Sequence, residues 1–213
     1  MATCGCPVKC GALATKTTIL ITCATRSRVH RSVANPLACA PASSACSTWP
    51  ACASDSLGGR PPARRRRNAA IHYDTWQQAS TADLQVVREA LEVNLLGAWQ
   101  TSLSLLPLLR ASGHGRIVNV SSEAGSLASM NGGPPAYNVS KAALNALTRM
   151  LAGELRRDRI LVNAVCPGWV ATDMGGPGGR PVAEGAASVL WAVDLPDDGP
   201  TGGFYRDGHP VPW

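Results

Sequence analysis

The sequence predicts an α/β fold in a single domain, a doubly wound parallel sheet with helices on both faces. Two runs suggest it first, Ile117-Val118-Asn119-Val120 and Ile160 to Val165, each short and apolar on both faces as buried parallel strands are. The third observation is that such runs alternate with long amphipathic segments, the way parallel strands are joined. The pattern places strands near 116–121, 160–166 and 201–205 and helices near 81–110, 136–157 and 182–193, with the first two strands as parallel neighbours. A chain of 213 residues is long enough for such a core. No apolar run approaches the roughly 20 residues of a membrane span, so a soluble protein with no membrane partner is expected.

Charge divides the chain. Residues 1–67 hold ten Lys and Arg against one acid, Asp55, and seven of the eight Cys, whereas residues 68–213 hold ten against thirteen. The formal charge of +6 therefore originates in the N-terminal third. That third is rich in Ala, Cys, Ser, Thr, Pro and Arg, shows little sustained periodicity and ends in Arg64-Arg65-Arg66-Arg67. A short charge run is more often a solvated face than a nucleic-acid site, and no nucleic-acid partner is expected. Only Thr17 to Thr22 has the composition of a first parallel strand. The spacing Cys4-x-Cys6-x-x-x-Cys10 lacks paired C-x-x-C units and nearby His, so no metal site is expected. With Cys166 alone in the remainder, a reducing compartment fits, and the cytoplasm is the expected location.

From Asn68 onward the elements follow in order. Ser80-x-x-Asp83 reads as the N-cap of a helix whose Leu84, Val87, Leu91, Leu95 and Leu96 recur at helical spacing. Asn94 lies within it, where Asn is mildly unfavourable. Ser112-Gly113-His114-Gly115 breaks the helix. The strand over Ile117 to Val120 then empties into the paired hydroxyls Ser121 and Ser122. Tyr137 and Lys141 come next, four residues apart in an Ala/Leu-rich helical pattern, so phenol and ammonium share one face. A cation beside a phenol favours the phenolate and draws its pKa towards working pH, and a nearby Ser hydroxyl could hold a carbonyl oxygen while the Tyr supplies its proton. The strand over Ile160 to Val165 ends in Cys166-Pro167-Gly168, a Gly/Pro loop spans Gly175 to Pro181, and Asp198 to Gly208 carries the last strand and its approach.

In combination, the strand ending Asn-Val-Ser-Ser, the helix Tyr-x-x-Ser-Lys-Ala-Ala-Leu and the strand and loop Ile-Leu-Val-Asn-Ala-Val-Cys-Pro-Gly resemble the short-chain dehydrogenase/reductase family, above all its carbonyl-reductase-like branch. The resemblance runs from Asn68 to Trp213 and implies a Rossmann-type fold with a complete C-terminal end. It implies hydride transfer between a nicotinamide and a small-molecule carbonyl or secondary alcohol, with NADP(H) favoured and NAD(H) as the alternative. By the same resemblance, Ser122 hydrogen-bonds the carbonyl oxygen and Tyr137 donates the proton. Lys141 lowers the Tyr pKa and binds the nicotinamide ribose, while Asn94 helps hold a water in a proton relay. Asn68, Ala69 and Ala70 lie against the adenosine side of the cofactor; Pro167, Gly168, Val170 and Thr172 contact its nicotinamide end, with Tyr137 and Lys141. Many relatives place a longer lid between Gly175 and Pro181, so the short loop here implies an open pocket of modest selectivity. The gap from Ser122 to Tyr137 is longer than is common in the family, and Gly132-Gly133-Pro134-Pro135 absorbs the difference.

The N-terminal third departs from the family. Its first strand runs into a Thr-Gly-x-x-x-Gly-x-Gly turn whose glycines admit the cofactor pyrophosphate to a helix N-terminus. Laid onto Thr22, those positions fall on Cys23, Ser27 and Val29, the chain from Thr22 to Asn68 is short for the units expected between them, and arginines replace the strand expected before the turn at Asn68-Ala69-Ala70. Residues 1–67 are thus a transit peptide, which would mean organellar import, a degenerate cofactor half, or a stretch read in another frame. The abrupt change at Asn68 favours the last. The expected organisation is a degenerate or misread, disorder-prone 1–67 and a catalytic 68–213. The alternative to an active reductase is a pseudoenzyme or binding protein of the same fold that lacks the cofactor.

Overall fold

The computed structural model describes residues 18–22, 67–68, 70–72 and 74–213. Six strands are described: β1 Thr18–Thr22, β2 Arg67–Asn68, β3 Arg116–Val120, β4 Leu161–Val165, β5 Phe204–Arg206 and β6 His209–Pro210. They form one sheet in the order β2-β1-β3-β4-β5-β6, parallel except at the last pair. β3 and β4 are parallel neighbours as expected, Arg116 opposite Leu161 and Val120 opposite Val165.

The strand expected at Thr17 to Thr22 forms as β1, between β2 and β3. β2 corrects the expectation that arginines replace the strand before Ala69, because Arg67 and Asn68 pair with Ile21 and Thr22. A parallel ladder is made by backbone N–H and C=O groups, so an Arg does not exclude it. Cys23, Ser27 and Val29, with most of the N-terminal third, lie outside the described residues.

One helix was expected near 81–110. Three segments run end to end: α1 Leu84–Leu91, a π-helical turn Glu92–Leu96, and α2 Gly97–Ser112. Asp83 rather than Ser80 is the N-cap, its Oδ1 accepting from Gln85 N at 2.8 Å. A cap must directly precede the first helical turn to reach its free N–H groups, and Ser80 sits earlier, in a 3-10 turn. Left-handed Gly113, φ 69°, ends α2. α3 Pro135–Glu154 opens on Pro, whose missing N–H is not needed there, and runs on into a 3-10 turn, Leu155–Asp158. α4 is Val182–Val193.

Alternation along the strands divides the core between two faces. Ile117 and Val162 pack with Ala98 and Leu109 of α2 and Leu144, Leu147 and Leu151 of α3. Val118, Val120 and Val165 pack on the opposite face with Val189, Ala192 and Val193 of α4. Helices therefore cover both faces of the central strands.

The last strand starts later than expected. Thr201 to Gly203 run beside β4, but side chains carry part of the bonding there: Val162 N donates to Thr201 Oγ1 and Gly203 N to Asn163 Oδ1, both at 3.0 Å. β5 then turns back through Asp207 and Gly208, at φ 50° and 80°, into the antiparallel edge strand β6, which was not expected. Asp-Gly suits this two-residue turn because both positions need positive φ.

Truncating Leu144, 1 % exposed, to Ala should cost about 2–5 kcal/mol by leaving a cavity between α3 and the sheet. Leu103→Ala, at a position 55 % exposed, should change stability by less than about 0.5 kcal/mol. Urea midpoints compare the two, and equal losses would contradict this assignment of the core.

Candidate active site

Three elements meet at Lys141. Its Nζ, carried by the second turn of α3, donates to Val120 O at the end of β3 over 2.9 Å. It stands 5.6 Å from the centroid of the Tyr137 ring, one helical turn back. The side chain is 2 % exposed. The third element is the short 3-10 turn Glu123–Gly125 just after the paired serines. A Cβ on Gly125 would come within 2.6 Å of the Lys141 carbonyl carbon and 2.8 Å of Ala142 N, so glycine is what lets this turn lie against the helix.

The two hydroxyls at the end of β3 face different surroundings. Ser121 is buried, its Oγ donating to Asn145 Oδ1 at 2.6 Å and its N–H to Val165 O at 2.8 Å. Ser122 is half-buried, and its Oγ accepts from Ala124 N at 3.2 Å. A hydroxyl that accepts one bond keeps its own hydrogen to donate.

The front of α3 is tied to the segment 70–74. The Asp74 carboxylate, 1 % exposed, accepts from Ala136 N at 2.6 Å and so caps the helix from 62 residues away. Asn94 Oδ1 accepts from Ile71 N at 2.8 Å, while its Nδ2 donates to Ile71 O at 3.0 Å and to Ser140 Oγ at 2.9 Å. Ser140 Oγ in turn donates to Tyr137 O at 2.8 Å. Asn94 sits in the π-helical turn, where Gly97 N bonds Glu92 O in place of the usual carbonyl one residue on. A polar side chain that mildly disfavours a helix is thereby built into a buried cross-tie.

On the other side, the loop after β4 is closed on itself. Gly168 takes φ 76°, and Val170 bridges Arg180 in parallel. The Arg180 guanidinium donates to both carboxylate oxygens of Asp207, at 3.0 and 2.9 Å, which holds that carboxyl below the usual range. Arg180 also reaches Pro167 O at 3.4 Å. Thr172 Oγ1 accepts from Gly175 N at 3.1 Å. Ala171, Thr172, Asp173, Gly176 and Pro177 line a shallow, solvent-open cleft here. Arg206 spans from β5 to Glu123 at 2.5 Å and to Cys166 Sγ at 3.2 Å. The chain's last residues brace the same region: Pro212 O accepts from Ser126 Oγ, and Trp213 O from Ala128 N, each at 2.8 Å.

Of the residues singled out from the sequence, Asn94, Tyr137 and Lys141 are drawn together around α3, with Ser122 on the turn packed against it. Pro167, Gly168, Val170 and Thr172 share the separate loop beyond β4. Ala70 is buried, Asn68 contributes backbone to β2, and Ala69 lies outside the described residues. Sequence reasoning missed Asp74, His72, Ser140, Asn145 and the Arg180–Asp207 pair. Asp207-Gly208 was a readable turn signal; the partners of Asp74 and Asn94 are too distant in sequence for any local rule. Among the described residues, no group of three or more His, Cys, Asp or Glu is placed to hold a metal, and no helix is long and apolar enough to cross a membrane.

Residues 67–180 match the family model described as short chain dehydrogenase. The C-signal protein of Myxococcus xanthus is 34 % identical over 141 residues, 65 % of this chain and 85 % of that protein. Carbonyl reductase [NADPH] 1 of Mus musculus is 45 % identical over 85 residues, 37 % of this chain and 31 % of the mouse enzyme. The crystal structure of NADPH-bound carbonyl reductase from chicken fatty liver superposes with a TM-score of 0.60 at 29 % identity, covering 68 % of this chain and 64 % of that one. The chain thus spans less than two-thirds of either reductase.

Asp74→Ala should cost about 0.5–2 kcal/mol, since Ala136 N loses its cap. Asp74→Asn, which keeps an acceptor oxygen, should recover part of that in urea unfolding. An Ala variant as stable as the parent would remove Asp74 as the anchor of α3.

Proposed function

The chain belongs to the short-chain dehydrogenase family, and from that premise we propose that it is an oxidoreductase reducing a small-molecule carbonyl to a secondary alcohol, or running the reverse reaction, with Tyr137 as general acid/base. The observation that carries this is the Lys141 ammonium, anchored to the end of β3 at 2.9 Å and 5.6 Å from the Tyr137 ring.

NADP(H) is the favoured cofactor, because similar proteins include a reductase named for NADPH and one solved with it bound. The described residues fit its nicotinamide half: a phenol, an ammonium with three donors and the Thr172 hydroxyl suit ribose and amide groups. Tyr137, Lys141, Pro167, Gly168, Val170 and Thr172 would hold that half, with Asn68, Ala69 and Ala70 towards the adenosine. When bound, the cofactor supplies or accepts the hydride.

The protein's part is positioning and proton transfer. Ser122 donates its hydroxyl hydrogen to the substrate oxygen, and Tyr137 delivers the proton that completes the alcohol. The positive charge of Lys141 favours the phenolate left behind. Asn94 supports proton supply indirectly: its amide ties Ile71 to Ser140 and so fixes the turn carrying Tyr137. The cleft beside Thr172, open to solvent, supports a pocket of modest selectivity. A second reading, a protein of this fold without a cofactor, is favoured by Cys23, Ser27 and Val29 standing where relatives have glycine.

Tyr137→Phe should lower turnover by about 10²–10⁴-fold at saturating NADPH. Near-normal turnover of a variant whose parent is active would take Tyr137 out of the mechanism. Calorimetric titration with NADPH should give weaker binding for the chain as it stands than for a chimera whose first 67 residues come from an intact relative. Equal affinities would mean that residues 1–67 build a working cofactor site without those glycines.

A further inference from the structure

Between Ile71 and Asp74 the chain sets an imidazole against the phenol ring. The ring centroids of His72 and Tyr137 are 4.3 Å apart, with their planes at 33°. His72 Nε2 is buried and has no hydrogen-bond partner among the described residues. Its neighbours in the segment are fixed, Ile71 by two bonds to Asn94 and Asp74 by the start of α3. The chain is therefore tied down on both sides of the imidazole.

A neutral imidazole carries one N–H and needs only one donor site, but its protonated form carries two. Taking up a proton would put an N–H at Nε2 with no acceptor, and a second positive charge near Lys141. Among the described residues, the titratable groups facing the ring are Asp74 on its own segment and Tyr137 and Lys141 on α3. Burial, helped by Lys141 and opposed by Asp74, pushes the imidazole below its ordinary value of 6.5.

We propose that His72 is a positioning residue for Tyr137, a neutral imidazole wall that holds the phenol in its working orientation and gives way when protonated. This deepens the role proposed above for Tyr137 and rests on it. Because the folded-state pKa is depressed, neutral His72 contributes stability above pH 6.5, and that contribution is lost as the pH falls through and below this value. A protonated ring must leave the contact to reach water or stay with an unpaired N–H, and Tyr137 loses its wall in the first case and a stable one in the second.

The test monitors reduction of p-nitrobenzaldehyde by NADPH in the parent chain, His72→Ala and His72→Phe. His72→Ala should lower kcat by about tenfold with KM little changed, since orientation rather than binding is lost. His72→Phe, which restores a ring, should recover most of kcat but lose the fall in activity on the acid side that the parent shows. Unchanged kcat in His72→Ala, or an acid limb that persists in His72→Phe, overturns the proposal. If the parent chain turns over no carbonyl, the proposed function fails for it, and proton NMR then decides the contact alone. Imidazole signals absent from His72→Phe should titrate below 6.5 and move in Tyr137→Ala; titration at the ordinary value, or no response to Tyr137→Ala, overturns the wall.

Discussion

The hydrogen bond from Lys141 Nζ to Val120 O joins the two elements on which the site depends. An ammonium at 2 % exposure is costly to bury unless it is well partnered, so its bond to the strand end fixes where α3 can lie. With α3 set, Tyr137 is one turn away, the turn beyond Ser122 has to fit against the Lys141 backbone, and Gly125 is the residue small enough to let it. The geometry has little slack because one helix serves as core element and candidate site at once: Leu144, Leu147 and Leu151 bury one face while Tyr137 and Lys141 occupy its opening turns.

Around this centre, bonds distant in sequence do the bracing. Asp74 caps α3, Asn94 links Ile71 to Ser140, and Arg206 links β5 to Glu123 beside Ser122. The charged bonds lie at different depths. Arg180–Asp207 and Arg206–Glu123 are partly solvated, where a pair contributes little to stability. Asp74 is sealed from solvent, where loss of a partner leaves a polar group unsatisfied. Fixing the order of loops around the site is therefore a better account of the exposed pairs than holding the fold together.

Much of this was legible from residue patterns. β3, β4, α3 and α4 are strong periodic or apolar runs, and they formed close to where the pattern put them. The spacing of Tyr137 and Lys141 on one helical face needed no more than the pitch of the helix. The elements that the pattern missed have physical causes. The π-helical turn arises from tertiary bonds of Asn94 that no local propensity encodes. β5 started late because Thr201 and Asn163 substitute side-chain bonds for the ladder, and β2 formed where arginines argued against it because ladders are blind to side-chain charge. β6 was foreshadowed by Asp207-Gly208, a turn signal that an apolar-run search passes over because the next four residues, His-Pro-Val-Pro, do not make an apolar run.

The bracing of the loop beyond Ser122 by Pro212 and Trp213 carries a consequence for biosynthesis. Synthesis is vectorial, and domains form as the chain emerges. β3, the serines and α3 all leave the ribosome early, yet the hydrogen bond that Ser126 Oγ donates closes on a residue made 86 positions later. The sheet can be assembled while this loop still awaits its partners. The loop beside the candidate site is thus completed only once Pro212 and Trp213 have been made, and a nascent chain arrested a few codons before them would carry the central sheet without this part of the rim.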